Sequence, residues 1–170
     1  SPIAVTEKSG ADVLRLWTLS QNFHDNFFAG EEVPSRVADS YRKIRNTFRY
    51  LLSAIGDFHP ETDAVRDRDL LTAVDRWALS ELGRVSAEIR RAYDAFEPDA
   101  AARAFHGLCV GPLSSFYFDM LKDRLYTFRR DDPARRSSQT ALYLIADHLC
   151  RLVAPILPFT AEEIWSHLPA

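Results

Sequence analysis

Apolar residues recur at spacings of three and four along most of the chain, and no stretch alternates apolar with polar as a half-buried strand would. The pattern predicts an all-α fold. A short helix runs from Asp12 to about Ser20, with Leu14, Leu16 and Trp17 as its apolar residues. Asn22 to Pro34, rich in Phe, Gly and acids, reads as a loop. Ser35 then N-caps a long helix with apolar positions Val37, Tyr41, Ile44, Phe48, Leu52 and Ile55, and Gly56 ends it. Asp57 to Asp69 is polar, contains Pro60, and reads as a loop. The third helix spans about Leu71 to Phe96, with Val74, Ala78, Leu82, Val85, Ile89, Tyr93 and Phe96 in its stripe. Pro98 opens the next, at a position where a missing N–H costs nothing.

Phe105 and Cys109, then Leu113, Phe116 and Met120, carry the spacing across Gly111-Pro112. Residues 98–127 are therefore one kinked helix or two nearly collinear ones. Ser114 is placed to cap the part after Pro112. Arg129 to Arg136 is a charged loop, and a fifth helix spans roughly Ser137 to Ala154 with Leu142, Ile145, Leu149 and Leu152 inward. Pro155 and Pro158 make a rigid corner, and Thr160-Ala161-Glu162-Glu163 has the form of a capping box opening a last helix. Three long helices and a fourth in two parts suit an antiparallel bundle. The first ten residues show no element of their own, and the last helix has barely two turns before Ala170. Both ends read as cuts in a longer chain.

Composition narrows the function. Of 170 residues 46% are apolar and 12% aromatic, enough for a real core and against disorder. The formal net charge of −3 lacks the positive excess of a strongly basic nucleic-acid binder, so any RNA contact must come from local patches. Cys109 and Cys150 belong to no C-x-x-C pair and read as small core residues in a reducing compartment. With no signal peptide and no run near the ~20 apolar residues of a membrane span, a cytoplasmic protein is the expectation.

A catalytic search finds little. The five histidines form no zinc helix motif, His148 and Cys150 point to different helix faces, and no glycine-rich phosphate loop or nucleophile elbow is present. Basic residues say more. Arg42, Arg45 and Arg49 make a stripe beside the apolar one on the second helix, with Lys43 and Asn46 further round. Such a row either holds successive phosphates or is a solvated face. Lys122 and Arg124, flanked by Asp119 and Asp123, either pair within the helix or meet RNA among Phe116, Tyr117, Tyr126 and Phe128. Single-stranded RNA is read by stacking its bases on aromatic or guanidinium planes. Trp77, at a helix start, either closes the bundle end or contacts a base; Tyr126 is the other stacking candidate.

Five strings in register resemble the class I aminoacyl-tRNA synthetases that charge branched-chain amino acids, most closely the isoleucyl-tRNA synthetases. They are Gly10-Ala11-Asp12-Val13-Leu14-Arg15-Leu16-Trp17, Tyr41-Arg42-Lys43-Ile44-Arg45-Asn46-Thr47, Asp75-Arg76-Trp77-Ala78-Leu79, the stretch from Leu113 to Thr127, and Leu152 to Trp165. Order and spacing match over nearly the whole chain. Gly111-Pro112 departs from the ordinary helical pair expected there, which sharpens the kink and turns Lys122.

The resemblance implies that residues 1–33 leave a catalytic core and that 34–170 form the anticodon-binding bundle, truncated at its C-terminal end. It implies tRNA(Ile) as partner, alongside the catalytic and editing domains of the same chain, in a monomer. ATP and magnesium would serve the full enzyme, whose Lys-Met-Ser-Lys-Ser and His-Ile-Gly-His signatures are not in this sequence, and no cofactor is expected here. This segment alone would not aminoacylate. Lys122, Arg124, Arg42, Arg45, Arg49 and Asn46 become the tRNA-binding candidates. A valyl-type synthetase with the same bundle, or a helical interaction module without RNA binding, are the alternatives.

Overall fold

The computed structural model describes residues 2–21 and 33–169. Among these the fold is all-α, with no strand. Helices α1 (Pro2–Ser9) and α2 (Ala11–Leu19) precede α3 (Val33–Ala54); a short α4 (Pro60–Asp63) and a 3₁₀ turn (Arg68–Leu70) lead to α5 (Ala73–Asp94). Then come α6 (Pro98–Leu108), a π-helical stretch (Cys109–Tyr117), α7 (Phe118–Thr127), α8 (Pro133–Val153) and α9 (Pro158–Trp165).

The apolar stripes become one core. Ile44, Phe48 and Ile55 of α3 meet Leu82, Val85 and Ile89 of α5, Phe105 and Leu108 of α6, and Leu142, Ile145 and Leu149 of α8. Helices α5 and α6, joined by the short turn 95–97, pack most extensively, and α8 lies against α3, α5, α7 and α9. Cys109 and Cys150 are buried and free, and burial pushes the Cys109 thiol up to about 12.

Several element ends differ from expectation. Residues 2–9 are helical, and Gly10, at φ +87°, makes the turn into α2. Helix α3 begins at Val33, so Ser35 lies inside it. The expected loop over 22–34 lies mostly outside the described residues. Helix α8 begins at Pro133 because Asp132 caps it, accepting from the N–H groups of Ala134 at 2.8 Å and Arg135 at 3.3 Å. The Arg129–Arg136 segment is therefore half helix. Helix α9 begins at Pro158, and no capping box forms. Instead the Asp12 carboxylate, from α2, accepts from the Thr160 N–H at 2.7 Å and hydroxyl at 2.6 Å. The side chain of Arg15 donates to the Ile156 and Pro155 carbonyls at 3.0 and 2.9 Å. Helix α2 is thus latched to the far end of the chain, with Leu16 in the shared core.

The 98–127 segment is one continuous helix with a π-helical middle around Pro112. Ser115, rather than Ser114, satisfies a loosened carbonyl, donating to Val110 at 2.7 Å. Across the wider π turn the inward row runs Phe105, Cys109, Leu113, Tyr117, Leu121, Leu125. Phe116 and Met120, expected in the core stripe, are 47% and 52% exposed. Phe96 also leaves its stripe: α5 ends at Asp94, and Phe96 is 80% exposed.

Candidate nucleic-acid interface

On α3, positions 42, 46, 49 and 53 share the outward face, and Arg42, Asn46, Arg49 and Ser53 are all exposed. Arg45 sits one step round and turns to α9. It donates to both carboxylate oxygens of Glu163 at 2.7 and 2.8 Å, a bidentate fork that also reaches the Tyr41 hydroxyl at 3.3 Å. The fork holds the Glu163 carboxyl below its usual range and the Arg45 guanidinium above its own. Arg42 pairs with Asp39 in the preceding turn. Arg49 and Asn46 carry no hydrogen bond or ion pair among the described residues. The expected row of three arginines is therefore two paired cations and one uncommitted one.

Helix α7 meets α3 at its first residue, Phe118. Tyr50 stacks on Phe118 with ring centroids 4.1 Å apart and donates to the Phe118 carbonyl at 3.1 Å. Burial, with the nearby Tyr126 and Asp119, pushes the Tyr50 phenol up to about 12. That contact ties the end of α3 to the start of α7. Lys122 is exposed and pairs with Asp119 at 2.6 Å, the intrahelical contact its spacing foretold. Tyr126 is 75% exposed.

Arg124 takes another course. Its guanidinium donates to Thr72 at 2.9 Å and Ser138 at 3.4 Å and lies 3.7 Å from Asp75. Asp75 is fully buried and accepts from Thr72 at 2.7 Å, Ser137 at 2.6 Å, Ser138 at 3.3 Å and Tyr117 at 2.7 Å. Arg124 thus completes an interior polar cluster. Withdrawing it would strip a buried carboxylate of its countercharge, typically about 3–5 kcal/mol. The exposed pair of Lys122 is screened by water and costs little to break. Trp77 meets Phe116 edge-on at 4.9 Å, and both rings stay partly exposed. The sequence reading missed Asp75 as a hub and Phe116 as a surface residue. Two adjacent hydroxyl residues near α8's start, Ser137 and Ser138, were the available signal for a buried acid.

The family described as "Anticodon-binding domain of tRNA ligase" matches residues 75–169. The chain is 46% identical over 169 residues to an isoleucine–tRNA ligase of Syntrophotalea carbinolica, covering 99% of this chain and 18% of that protein. It is equally 46% identical to the isoleucine–tRNA ligase of Colwellia psychrerythraea, with the same coverage of both chains. It is 45% identical to that of a Thermoanaerobacter species, covering 98% of this chain and 18% of the other. The chain thus spans under a fifth of the length of these relatives. Among solved structures, a LeuRS from Agrobacterium radiobacter, in a ternary complex with tRNA and LeuAMS, superposes with a TM-score of 0.67. That match covers all of this chain and 20% of the other at 17% identity, a likeness of fold.

Proposed function

The chain belongs to the anticodon-binding domain family of tRNA ligases, and from that premise we propose that it grips the anticodon arm of tRNA(Ile) for an isoleucine–tRNA ligase. The observation that carries the reading is the exposed polar surface of α3 and α7. There Arg49 and Asn46 stand uncommitted, Lys122 is held only by a surface pair, and Tyr126 offers an exposed ring. Arg42 and Arg45 line the same approach through exposed pairs that phosphates compete for. Phosphate contacts would position the arm, and Tyr126 and the Trp77–Phe116 pair would stack its unpaired bases. Arg124 serves by fixing α7 rather than by touching RNA. Isoleucine rather than valine is supported by the relatives' names.

In this reading residues 34–170 are the bundle and 1–33 the connector from a catalytic core that joins isoleucine to tRNA. ATP and magnesium belong to that core. Among the described residues no group of three or more His, Cys, Asp or Glu side chains could hold a metal ion. No helix among the described residues is long and apolar enough to cross a membrane. A monomer acting in the cytoplasm fits this role.

The test is a fluorescence titration with the isoleucine anticodon arm and an anticodon-swapped arm. The cognate arm should bind more tightly, its affinity should fall with salt, and Lys122→Ala should weaken it roughly tenfold. Equal affinity for both arms would remove the anticodon claim. The carboxylate partners of Arg42, Arg45 and Lys122 favour a second reading, a helical protein-interaction module; absence of any salt-dependent RNA binding would select it.

A further inference from the structure

Between α3 and α9 lies a cavity of about 350 Å³, within the size range of small-ligand pockets. Its floor is apolar, formed by Phe48, Leu52 and Ile164. Asn46 and Arg49 reach its rim from the outward face of α3, and His167 from the turn after α9. The Arg45–Glu163 fork forms one wall. This puts the uncommitted Arg49 guanidinium beside a hollow.

The chemistry of the lining selects a ligand. Arg49 presents a planar fork suited to a phosphate. The free amide of Asn46 offers donor and acceptor together, as a base edge requires. The His167 Nδ1 lies 2.8 Å from the Glu163 carbonyl and 3.0 Å from the Ser166 hydroxyl. With the proton on Nδ1 for that carbonyl, Nε2 is an acceptor, matched to a ribose hydroxyl or a base N–H. The apolar floor suits a flat ring removed from its stack. We propose that this cavity seats one unstacked nucleotide of the bound RNA, its base over Leu52 and Ile164 and its phosphate on Arg49. The proposal rests on the RNA-binding reading above and adds a second place where that RNA is held.

Two measurements test it on the 170-residue chain. In the first, anticodon-arm RNA is titrated against the unaltered chain, Leu52→Trp, which fills the cavity, Arg49→Gln, and an Arg84→Gln control. Both cavity variants should bind about tenfold more weakly and the control unchanged. Arg49→Gln should also lower the salt slope by roughly 0.7, the share of one single-strand phosphate. In the second, AMP and inorganic phosphate are added separately while the Asn46 amide and His167 ring are followed by NMR. AMP should shift both signals in the unaltered chain and neither in Leu52→Trp.

Unchanged RNA affinity in the cavity variants, with the unaltered chain binding, would overturn the nucleotide seat and leave the RNA reading standing. Failure of the unaltered chain to bind the arm would overturn both. Phosphate acting as well as AMP would reduce the cavity to an anion site and overturn the proposal. If Leu52→Trp does not fold, the comparison of AMP with phosphate on the unaltered chain decides.

Discussion

At φ +56° Phe96 stands in the left-handed region, where an L side chain crowds its own carbonyl at a cost of roughly 1–2 kcal/mol. The turn demands it. The Glu97 N–H donates to the Ala92 carbonyl at 2.8 Å and the Phe96 N–H to that of Tyr93 at 3.1 Å, the paired bonds that end a helix tightly. Glycine is the usual residue there, and the Phe96 ring is mostly in water, so little packing is lost by removing it. Phe96→Gly should raise stability by about 1 kcal/mol, seen as a higher urea midpoint with an unchanged m-value. Lys122 and Arg124 make the same point about context. Two residues apart and alike in charge, they are separated by what stands opposite: water and Asp119 for one, Asp75 with two hydroxyls for the other.

At the scale of elements, the helix from Pro98 to Thr127 carries the largest consequence. A row of fours on a plain α-helix drifts by about 40° per step, since 3.6 residues make a turn. The π-helical stretch over 109–117 takes more residues per turn and reverses that drift, so Phe105 through Leu125 stay on one face. The same shift puts Phe116 and Met120 outside, with Phe116 against Trp77. Such a stretch needs anchors. Tyr117 donates to Asp75 at 2.7 Å inside the core, Ser115 holds the Val110 carbonyl, and Tyr50 holds that of Phe118. Tyr117→Phe should cost about 1–2 kcal/mol in urea unfolding by leaving a buried carboxylate one donor short. Spectroscopic change at Trp77 would show the patch moving with it, and a loss of stability below about 0.5 kcal/mol would rule out the anchor.

At the scale of the molecule, polar links far apart in sequence close the bundle. Asp57, past the end of α3, accepts from Arg135 and Arg130 at 3.0 Å and from Gln139 at 2.6 Å. Burial pushes its carboxyl up, but the hydrogen bonds from Arg135, Gln139 and Arg130 outweigh this and leave it below the usual range. The folded carboxyl therefore titrates below the unfolded one near 3.9. Its stabilising contribution is complete above that value and lost as pH falls through the lowered folded one. Stability measured by urea midpoint should decline with acid in that window, and Asp57→Asn should flatten that part of the profile; an identical profile in the variant would refute the assignment.

By itself the sequence determined the long helices, most of their inward positions and the family, because 3.6-residue periodicity and strings in register are local and need no partner to be read. Pro112 announced an irregularity, and Asp132-Pro133 held a cap that could have been read. Tertiary structure alone decided the rest. Thr160 looked like the start of its own capping box, yet its cap is Asp12, brought to it across the fold. Arg124 resembled Lys122 until Asp75 faced it, and Phe116 belonged to the core until the π turn rotated it out. Each outcome depends on desolvation and on the geometry of groups distant in the chain. A buried carboxylate claims whatever cation the packing brings near, and no local spacing records which one that will be.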